Sequence, residues 1–209
     1  QTAALGFGGD ISNTASGTAA TEEYDGTSWT SSGNLNTSRR YIQGFGIQTS
    51  SLVFGGQNNA TLTEQYDGST WTVKSTMGSG FATTQSSVSP SASTGIAAGG
   101  YTAPFGATTN IAEEWNASAS VITAGAWAAT NSLNTGRSSS GGAGTQTAGL
   151  IYGGSTPGGN PSKLTEQYDG TSFSEVADMN TPRYCYDGTG TQTAALTFGG
   201  SPGPIKAYT

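Results

Sequence analysis

The sequence predicts an all-β protein built by repeating one supersecondary unit. Five Gly-Gly pairs recur at similar spacing, and four of them end the same kind of segment, in which a Thr precedes small and apolar residues and a final aromatic. Successive pairs lie about 47, 44, 54 and 46 residues apart, a period typical of one propeller blade. No window combines helical periodicity with good helix formers. The pairs are Gly8-Gly9, Gly55-Gly56, Gly99-Gly100, Gly153-Gly154 and Gly199-Gly200.

One complete copy, residues 39–75, predicts four short strands in succession. These segments are rich in Thr, Tyr, Trp and Val, which suit a pleated, half-buried surface. Asp67-Gly68 separates the last two strands, and Asp25-Gly26 and Asp169-Gly170 stand at the same junction. An Asp-Gly pair supplies the positive φ of a tight hairpin turn. The predicted strands are residues 40–46, 49–54, 61–66 and 70–74.

The third strand of each copy carries a carboxylate between an apolar residue and an aromatic. Alternation along a strand places all three side chains on one face. A buried carboxylate is costly unless it is paired and hydrogen-bonded, so each needs a partner. The carboxylates are Glu22, Glu64, Glu113 and Glu166, and the aromatics that follow them are Tyr24, Tyr66, Trp115 and Tyr168.

The candidate partner is an arginine that repeats at the start of the first strand. Arg39, Arg137 and Arg183 each follow an Asn-Thr-x triplet. We expect these guanidinium groups to fork onto the repeated carboxylates and to tie one repeat to its neighbour. The segment 77–80 has Met-Gly-Ser-Gly in place of this motif, so one carboxylate should lack an arginine.

The repeated aromatics are predicted to be core residues. Trp29 and Trp71 occupy the same repeat position, and Phe173 replaces them in a later copy. A residue type repeated at one structural position is expected to serve packing within and between units. Burying such a ring contributes roughly 1.5–3 kcal/mol.

Composition excludes several classes of function. The chain has no histidine, which removes the commonest metal ligand and general base. Its one cysteine, Cys185, cannot form an internal disulfide and is interpreted as a small buried hydrophobe. The net charge is −6 without a basic run, so we expect no nucleic-acid partner. No stretch has the apolar length of a membrane helix, and 10% aromatic residues argue against disorder.

The apolar strand, the Gly-Gly pair, the later Tyr-Asp and the following Trp together resemble the kelch repeat. The resemblance covers nearly the whole chain and implies a β-propeller with four-stranded blades, whose first strands line a central channel. The third copy departs from the pattern, with Trp115 at the tyrosine position and an insertion around 121–127. The residues that carry the resemblance are Gly8, Gly9, Tyr24 and Trp29; Gly55, Gly56, Tyr66 and Trp71; and Gly153, Gly154, Tyr168 and Phe173.

Longer motifs resemble the repeat regions of virion structural proteins of marine phages that infect cyanobacteria. These motifs are Gly-Thr-Gln-Thr-Ala-Ala-Leu-x-Phe-Gly-Gly, Thr-Glu-x-Tyr-Asp-Gly-Thr-Ser-Trp-Thr and Leu-Asn-Thr-x-Arg. The resemblance implies a location in a virion or an extracellular appendage. It also implies a tail-fibre or decoration role, with other virion or appendage chains as partners.

Counting repeats favours a five-bladed ring, with four complete repeats plus parts of a fifth. Residues 1–209 would form a single domain cut from a longer repeat protein. The N terminus lacks its own first strand, and the C terminus stops before a third strand. Because open strand edges invite pairing, the two ends share a blade, or further residues complete it, or a neighbouring chain does so.

Two functions remain open, and both are non-enzymatic. One is a binding module that recognises a glycan or a protein receptor through the loops after the Gly-Gly pairs, where such sites are found. The other is a purely structural or decorating component of a particle. The loops vary in length and carry little charge, which suits neutral polar ligands. They span residues 10–19, 57–60, 101–110 and 155–163.

Catalysis and cofactors are not expected. The copper oxidases among kelch propellers need imidazole ligands, which this chain lacks. Glu22 with Glu23, or Glu113 with Glu114, could supply two carboxylates for glycoside hydrolysis, but consecutive strand residues point to opposite faces. The Asp-Gly turns supply single carboxylates, whereas calcium needs six to eight oxygens.

Overall fold

The computed structural model describes residues 3–11, 16–57, 61–82, 85–86, 91–102, 106–117, 125–184 and 188–201. Every regular element in these ranges is a β-strand. The strands in chain order are β1 (Ala4–Phe7), β2 (Asp10–Ile11), β3 (Ser16–Gly17), β4 (Thr21–Tyr24), β5 (Trp29–Ser31), β6 (Gln43–Ile47), β7 (Ser50–Phe54), β8 (Thr63–Tyr66), β9 (Trp71–Lys74), β10 (Phe81–Ala82), β11 (Gln85–Ser86), β12 (Thr94–Ala98), β13 (Tyr101–Thr102), β14 (Ala112–Asn116), β15 (Ala126–Thr130), β16 (Gly141–Thr145), β17 (Ala148–Tyr152), β18 (Thr165–Tyr168), β19 (Phe173–Val176), β20 (Gly188–Thr191) and β21 (Ala194–Thr197).

The strands form successive antiparallel sheets, so the prediction of an all-β fold is confirmed. Three sheets have four strands each: sheet 2 is β6-β7-β8-β9, sheet 3 is β11-β12-β14-β15 and sheet 4 is β16-β17-β18-β19. Sheet 1 has three strands, β1-β4-β5, and sheet 5 is the hairpin β20-β21. Two short two-stranded sheets, β2-β3 and β10-β13, lie outside this series.

The predicted strands of the second copy match sheet 2 closely. The largest difference is at the first strand, which was expected from residue 40 and begins at Gln43. The cause is Tyr41, whose φ of 56° lies in the left-handed region and cannot continue a strand. The hairpin at Asp67-Gly68 is a four-residue loop, since Tyr66 pairs with Trp71. Gly68 has the expected positive φ, 96°.

Each sheet has two distinct ends. Phe54, the last residue of the second strand, pairs with Gln43 at the start of the first strand and with Thr63 at the start of the third. The end of the second strand and the starts of the first and third strands therefore lie together, at the Gly-Gly end. Both glycines of each of the five pairs have positive φ, which explains the choice of glycine. The Asp-Gly end carries the two hairpin turns.

Successive sheets pack against each other in chain order. Among the first strands, β6 is next to β11, β11 is next to β16, and β16 is next to β20. The aromatic before a Gly-Gly pair meets the tryptophan of the following sheet edge-on. Phe7 lies 5.3 Å from Trp71, and Phe54 lies 5.0 Å from Trp127, between ring centroids.

The core is therefore built between sheets, and it is incomplete at the two end sheets. Trp71 in sheet 2 is 5% exposed, whereas Trp29 at the same position in sheet 1 is 53% exposed. Phe54 is fully buried, whereas Phe198 in sheet 5 is 58% exposed. The prediction that both tryptophans are core residues is thus right for Trp71 and wrong for Trp29, because no sheet in the described residues covers the outer face of sheet 1.

In the described residues, no helix is long and apolar enough to cross a membrane.

Candidate functional site

The repeated arginine and glutamate meet in buried ion pairs. Arg39 Nη2 lies 2.9 Å from Glu64 Oε1, and both side chains are fully buried. Arg137 and Glu166 form the same pair, also with no exposure. The predicted pairing is confirmed for Arg39 and Arg137, whereas Arg183 donates from Nη1 to the Gly199 carbonyl oxygen at 3.2 Å. The predicted fork is wrong. Arg39 places Nη2 on the carboxylate and donates from Nη1 to the carbonyl oxygens of Gly55 and Leu62, each at 3.0 Å.

The asparagine of the Asn-Thr-x-Arg motif completes each ion pair. Asn36 donates to Glu64 Oε2 from its main-chain nitrogen at 2.7 Å and from Nδ2 at 2.8 Å. Asn134 makes the same two bonds to Glu166 Oε2, at 2.7 and 2.9 Å. Burial lowers the pKa of Arg39 and of Arg137, and the facing carboxylate opposes this effect. Carboxylates satisfied in this way serve structure and are closed to substrates.

The arginine main chain joins each repeat to the one before it. Gly9 donates to the Arg39 carbonyl oxygen at 3.0 Å, and Arg39 donates to that of Thr18 at 3.1 Å. Gly100 binds Arg137 and Gly154 binds Arg183 in the same way, at 2.8 and 2.9 Å. Each arginine thus bonds to the preceding repeat through its main chain. The Arg39–Glu64 and Arg137–Glu166 ion pairs lie within a single repeat, so the prediction that these side-chain contacts tie one repeat to its neighbour is wrong.

The other two repeated carboxylates, Glu113 and Glu22, have environments that differ from those of Glu64 and Glu166. Glu113 accepts hydrogen bonds from the main-chain nitrogens of Gly78 and Ser79, at 2.9 and 2.6 Å. The prediction of one carboxylate without arginine is therefore confirmed, and main-chain donors replace it. Glu22 is exposed, so the expectation that it is buried like the others is wrong, because sheet 1 has only the strands β1-β4-β5 in the described residues.

A second carboxylate, adjacent to the first on the third strand, links neighbouring sheets through tyrosine. Glu23 accepts from the Tyr66 hydroxyl of sheet 2, and Glu114 accepts from the Tyr168 hydroxyl of sheet 4 at 2.7 Å. Burial and the bond to Glu114 raise the pKa of Tyr168 to about 12, against the opposing effect of Thr130. Glu113 and Glu114, which are adjacent on β14, bind different partners, as expected from strand alternation.

A repeated glutamine forms another link that the sequence analysis missed. In the turn between first and second strands, Gln48 donates to the Tyr24 carbonyl oxygen at 3.0 Å, and Gln192 donates to that of Tyr168 at 2.7 Å. Gln146 reaches Asn116 Oδ1 at 3.0 Å. The recurrent Gly-x-Gln-Thr sequence was the available signal, but its role depends on a neighbouring sheet.

The turn aspartates are occupied by their own hairpins. Asp67 accepts hydrogen bonds from the main-chain nitrogens of Thr70 and Ser69, which lower the pKa of its carboxyl to about 2. The corresponding bonds lower the pKa of Asp25 and Asp169. Across the described ranges, no three Asp, Glu, Cys or His side chains come together as a metal site would require.

One polar and aromatic cluster lies at the Gly-Gly end. Arg40 Nη1 is 2.9 Å from Asp10 Oδ2 in the first loop, and Arg40 Nε donates to Gln57 Oε1 in the second loop. The guanidinium carbon lies 5.0 Å from the centre of the Tyr41 ring, within cation-π range. We call Asp10, Arg40, Tyr41 and Gln57 the Arg40 cluster.

Tyr41 presents its ring at a position where the fold does not require one. Ser139 occupies the equivalent position before sheet 4 and has a similar φ, 52° against 56°. Ser139 is 4% exposed and Tyr41 is 37% exposed. The left-handed turn is thus a property of the repeat, whereas the exposed aromatic is specific to this copy.

The remaining predicted loops offer less. In the fourth loop, the main chain of Thr156 donates to the Asn160 carbonyl oxygen at 3.1 Å, so the loop folds on itself, and Tyr184 from outside the loop donates to the Gly159 carbonyl oxygen. The third loop lies partly outside the described residues, as do Cys185 and residues 121–124 of the predicted insertion.

Comparison with known proteins supports the fold alone. No known protein family matches the sequence, and no curated protein matches it. Solved structures do match, with 156 chains found. The chain is similar to the solved structure described as "Structure of YjhT", with a TM-score of 0.80 and 12% identity over 99% of this chain and 76% of that chain.

Proposed function

We propose that this chain is a kelch-like β-propeller, of about five blades, that acts as a non-enzymatic binding and display module. Three observations support the architecture: four-stranded antiparallel sheets, their packing in chain order, and first strands that are neighbours. The resemblance to phage virion proteins supports a place on a virion or an extracellular appendage, beside other chains of that assembly.

The binding site of this proposal is the Arg40 cluster. Arg40 contacts two successive loops through Asp10 and Gln57, which holds these side chains in fixed positions. Beside them, Tyr41 offers an exposed ring. A pre-formed apolar surface with a few fixed polar groups is the usual composition of a small-ligand site. Charge is balanced by the Arg40–Asp10 pair, which favours a neutral, polar ligand such as a cell-surface glycan.

A glycan array with the purified chain tests this proposal. We expect saturable binding to a subset of glycans, and Tyr41→Ala should weaken it at least tenfold, the equivalent of about 1.4 kcal/mol. Ile47→Ala is the matched control, since Ile47 is 51% exposed but lies at the other end of strand β6. Its binding should equal that of the original chain.

The alternative is a purely structural or decorating component of a particle. The buried polar contacts favour it as much as they favour a display scaffold, because the carboxylates of the ion pairs and of the tyrosine–carboxylate bonds are already bound to protein groups and stabilise the fold. Absence of binding across a broad glycan array would support this alternative. Binding that Tyr41→Ala leaves unchanged would contradict the Arg40 cluster as the site.

A further inference from the structure

The Arg40 cluster joins two equivalent positions of successive sheets. Asp10 directly follows the Gly-Gly pair of sheet 1, and Gln57 directly follows that of sheet 2. Arg40 donates to both side chains, from Nη1 to Asp10 Oδ2 at 2.9 Å and from Nε to Gln57 Oε1. The main chain of Gln57 also donates to the Arg40 carbonyl oxygen at 3.1 Å. One guanidinium group thus holds a carboxylate and an amide close enough together to contact the same sugar ring.

The carboxylate and the amide each keep hydrogen-bonding capacity of one kind. Within the part of the chain that the structure describes, Asp10 Oδ1 and Gln57 Nε2 form no hydrogen bond. An ionised carboxylate oxygen only accepts hydrogen bonds, and an amide nitrogen only donates them. The Asp10 side chain is 44% exposed, so a ligand can reach it. A matching ligand therefore offers a donor and an acceptor side by side.

Two adjacent hydroxyls of a sugar ring meet this requirement. Each hydroxyl both donates and accepts, so one can donate to Asp10 while its neighbour accepts from Gln57. The exposed ring of Tyr41 provides the apolar surface against which the sugar ring can lie. Charged ligands fit less well, because Arg40 repels an ammonium group and Asp10 repels a carboxylate or phosphate.

The described residues contain this combination once. Hydrogen bonds between main chains identify the pairs that are equivalent to Arg40 and Gln57 in the later copies. Those pairs contain no charged side chain, and Ser138 and Ser155 are buried. The equivalent pairs are Ala82 with Tyr101, Ser138 with Ser155, and Tyr184 with Ser201.

We propose that Asp10 and Gln57 recognise a vicinal diol of a neutral hexopyranose, at one site per chain. Asp10 Oδ1 accepts from one hydroxyl, Gln57 Nε2 donates to the adjacent hydroxyl, and the sugar ring lies on Tyr41. This inference rests on the proposed function and names the ligand class of the same site. Because each chain has one such site, firm attachment to a glycan-covered surface requires several copies of the chain bound together.

An NMR titration of the isotope-labelled full chain with simple sugars tests the diol. The probes are the methyl α-pyranosides of glucose, mannose and galactose. We expect at least one to give saturable shifts of the amides around Asp10, Tyr41 and Gln57. For that sugar, the 3-deoxy analogue has no two adjacent hydroxyls and should bind at least tenfold more weakly. The 6-deoxy analogue keeps them, is the matched control, and should bind like the parent sugar.

Asp10→Asn tests the acceptor on the protein side. The asparagine oxygen can remain on Arg40, but its nitrogen cannot accept from a hydroxyl, so binding of that sugar should fall at least tenfold. Asp178→Asn is the matched control, since Asp178 also pairs with a surface cation, Lys163, and its side chain is 34% exposed. This variant should bind like the original chain, and thermal denaturation checks that both variants are folded.

The outcomes separate this inference from the proposed function. If array glycans bind and need Tyr41, but none of the three methyl glycosides binds, the diol is overturned and the proposed function stands. The same holds if Asp10→Asn or the 3-deoxy sugar binds without loss. A second group of shifted amides that Asp10→Asn leaves in place would overturn the single site. If neither the array glycans nor the methyl glycosides bind, both proposals are wrong.

Discussion

Arg137 and Glu166 show how this lightly charged chain uses its few charges. Both side chains are completely buried, and main-chain or asparagine groups occupy their other hydrogen-bonding positions. A buried ion pair of this kind adds little net stability over apolar residues, but removing one partner leaves an uncompensated charge. Its main effect is to specify which segment enters which sheet.

Truncation of one partner should therefore be costly. We expect Arg137→Ala to lower the free energy of unfolding by about 3–5 kcal/mol, because Glu166 would stay buried without its counterion. Urea denaturation measures this change. Lys163→Ala is the control: Lys163 pairs with Asp178 at the surface with a side chain that is 54% exposed, and its loss should cost less than about 1 kcal/mol. A loss of the same size for Arg137→Ala would contradict the assigned role.

At the scale of the element, sheets approach closely because glycine leaves room for aromatic rings. In the third copy, Gly95 stands where the second copy has a larger residue, Ser51. The structure gives the reason. A Cβ atom on Gly95 would lie 2.1 Å from the ring of Phe45 in sheet 2, so strand β12 can pack on that ring only with glycine there.

A methyl group at this position should disrupt the contact between sheets 2 and 3. We expect Gly95→Ala to lower the free energy of unfolding by about 1–3 kcal/mol, the usual cost of overpacking. Gly149→Ala is the matched control on strand β17, where the nearest atom to an added Cβ lies at an ordinary 3.4 Å. Thermal and urea denaturation of both variants give the comparison. Equal stability of the two variants would show that the Phe45 ring moves aside freely.

At the scale of the whole molecule, the series of sheets in the described residues has an exposed aromatic at each end. Trp29 in sheet 1 and Phe198 in sheet 5 are both more than half exposed. In the interior, the equivalent residues meet across each junction, as Phe7 meets Trp71. The end faces thus have the apolar residues of a junction without the neighbouring sheet that buries them in the interior.

Quenching of tryptophan fluorescence measures the difference in exposure between Trp29 and the buried tryptophans. Trp29 is 53% exposed, whereas Trp71 and Trp115 are at most 5% exposed. We expect iodide to quench part of the native fluorescence, and Trp29→Phe should remove most of the quenched part. Trp71→Phe should leave it in place. A native protein whose quenching is unaffected by Trp29→Phe would show that another surface covers sheet 1 in solution.

Sequence reasoning was sufficient for features that depend on a residue and its near neighbours. The strands of sheet 2, the positive φ of Gly68 and the pairing of Arg39 with Glu64 were all predicted, because alternation, turn chemistry and a repeated charge pair are visible along the chain. The candidate site was predicted only as a set of loops. Arg40 was not singled out, since its partners Asp10 and Gln57 lie 30 and 17 positions away.

The sequence by itself determined that this protein is all-β, that its unit recurs and that the repeated arginine and glutamate of the unit are paired. Local propensity and the cost of burying charge are enough for those conclusions. Only the tertiary structure decided which repeats are covered and which are open, that Tyr168 bonds to Glu114, and that Glu22 stays exposed. These outcomes depend on which sheet lies beside which, and identical repeat residues acquire different environments from their place in the series.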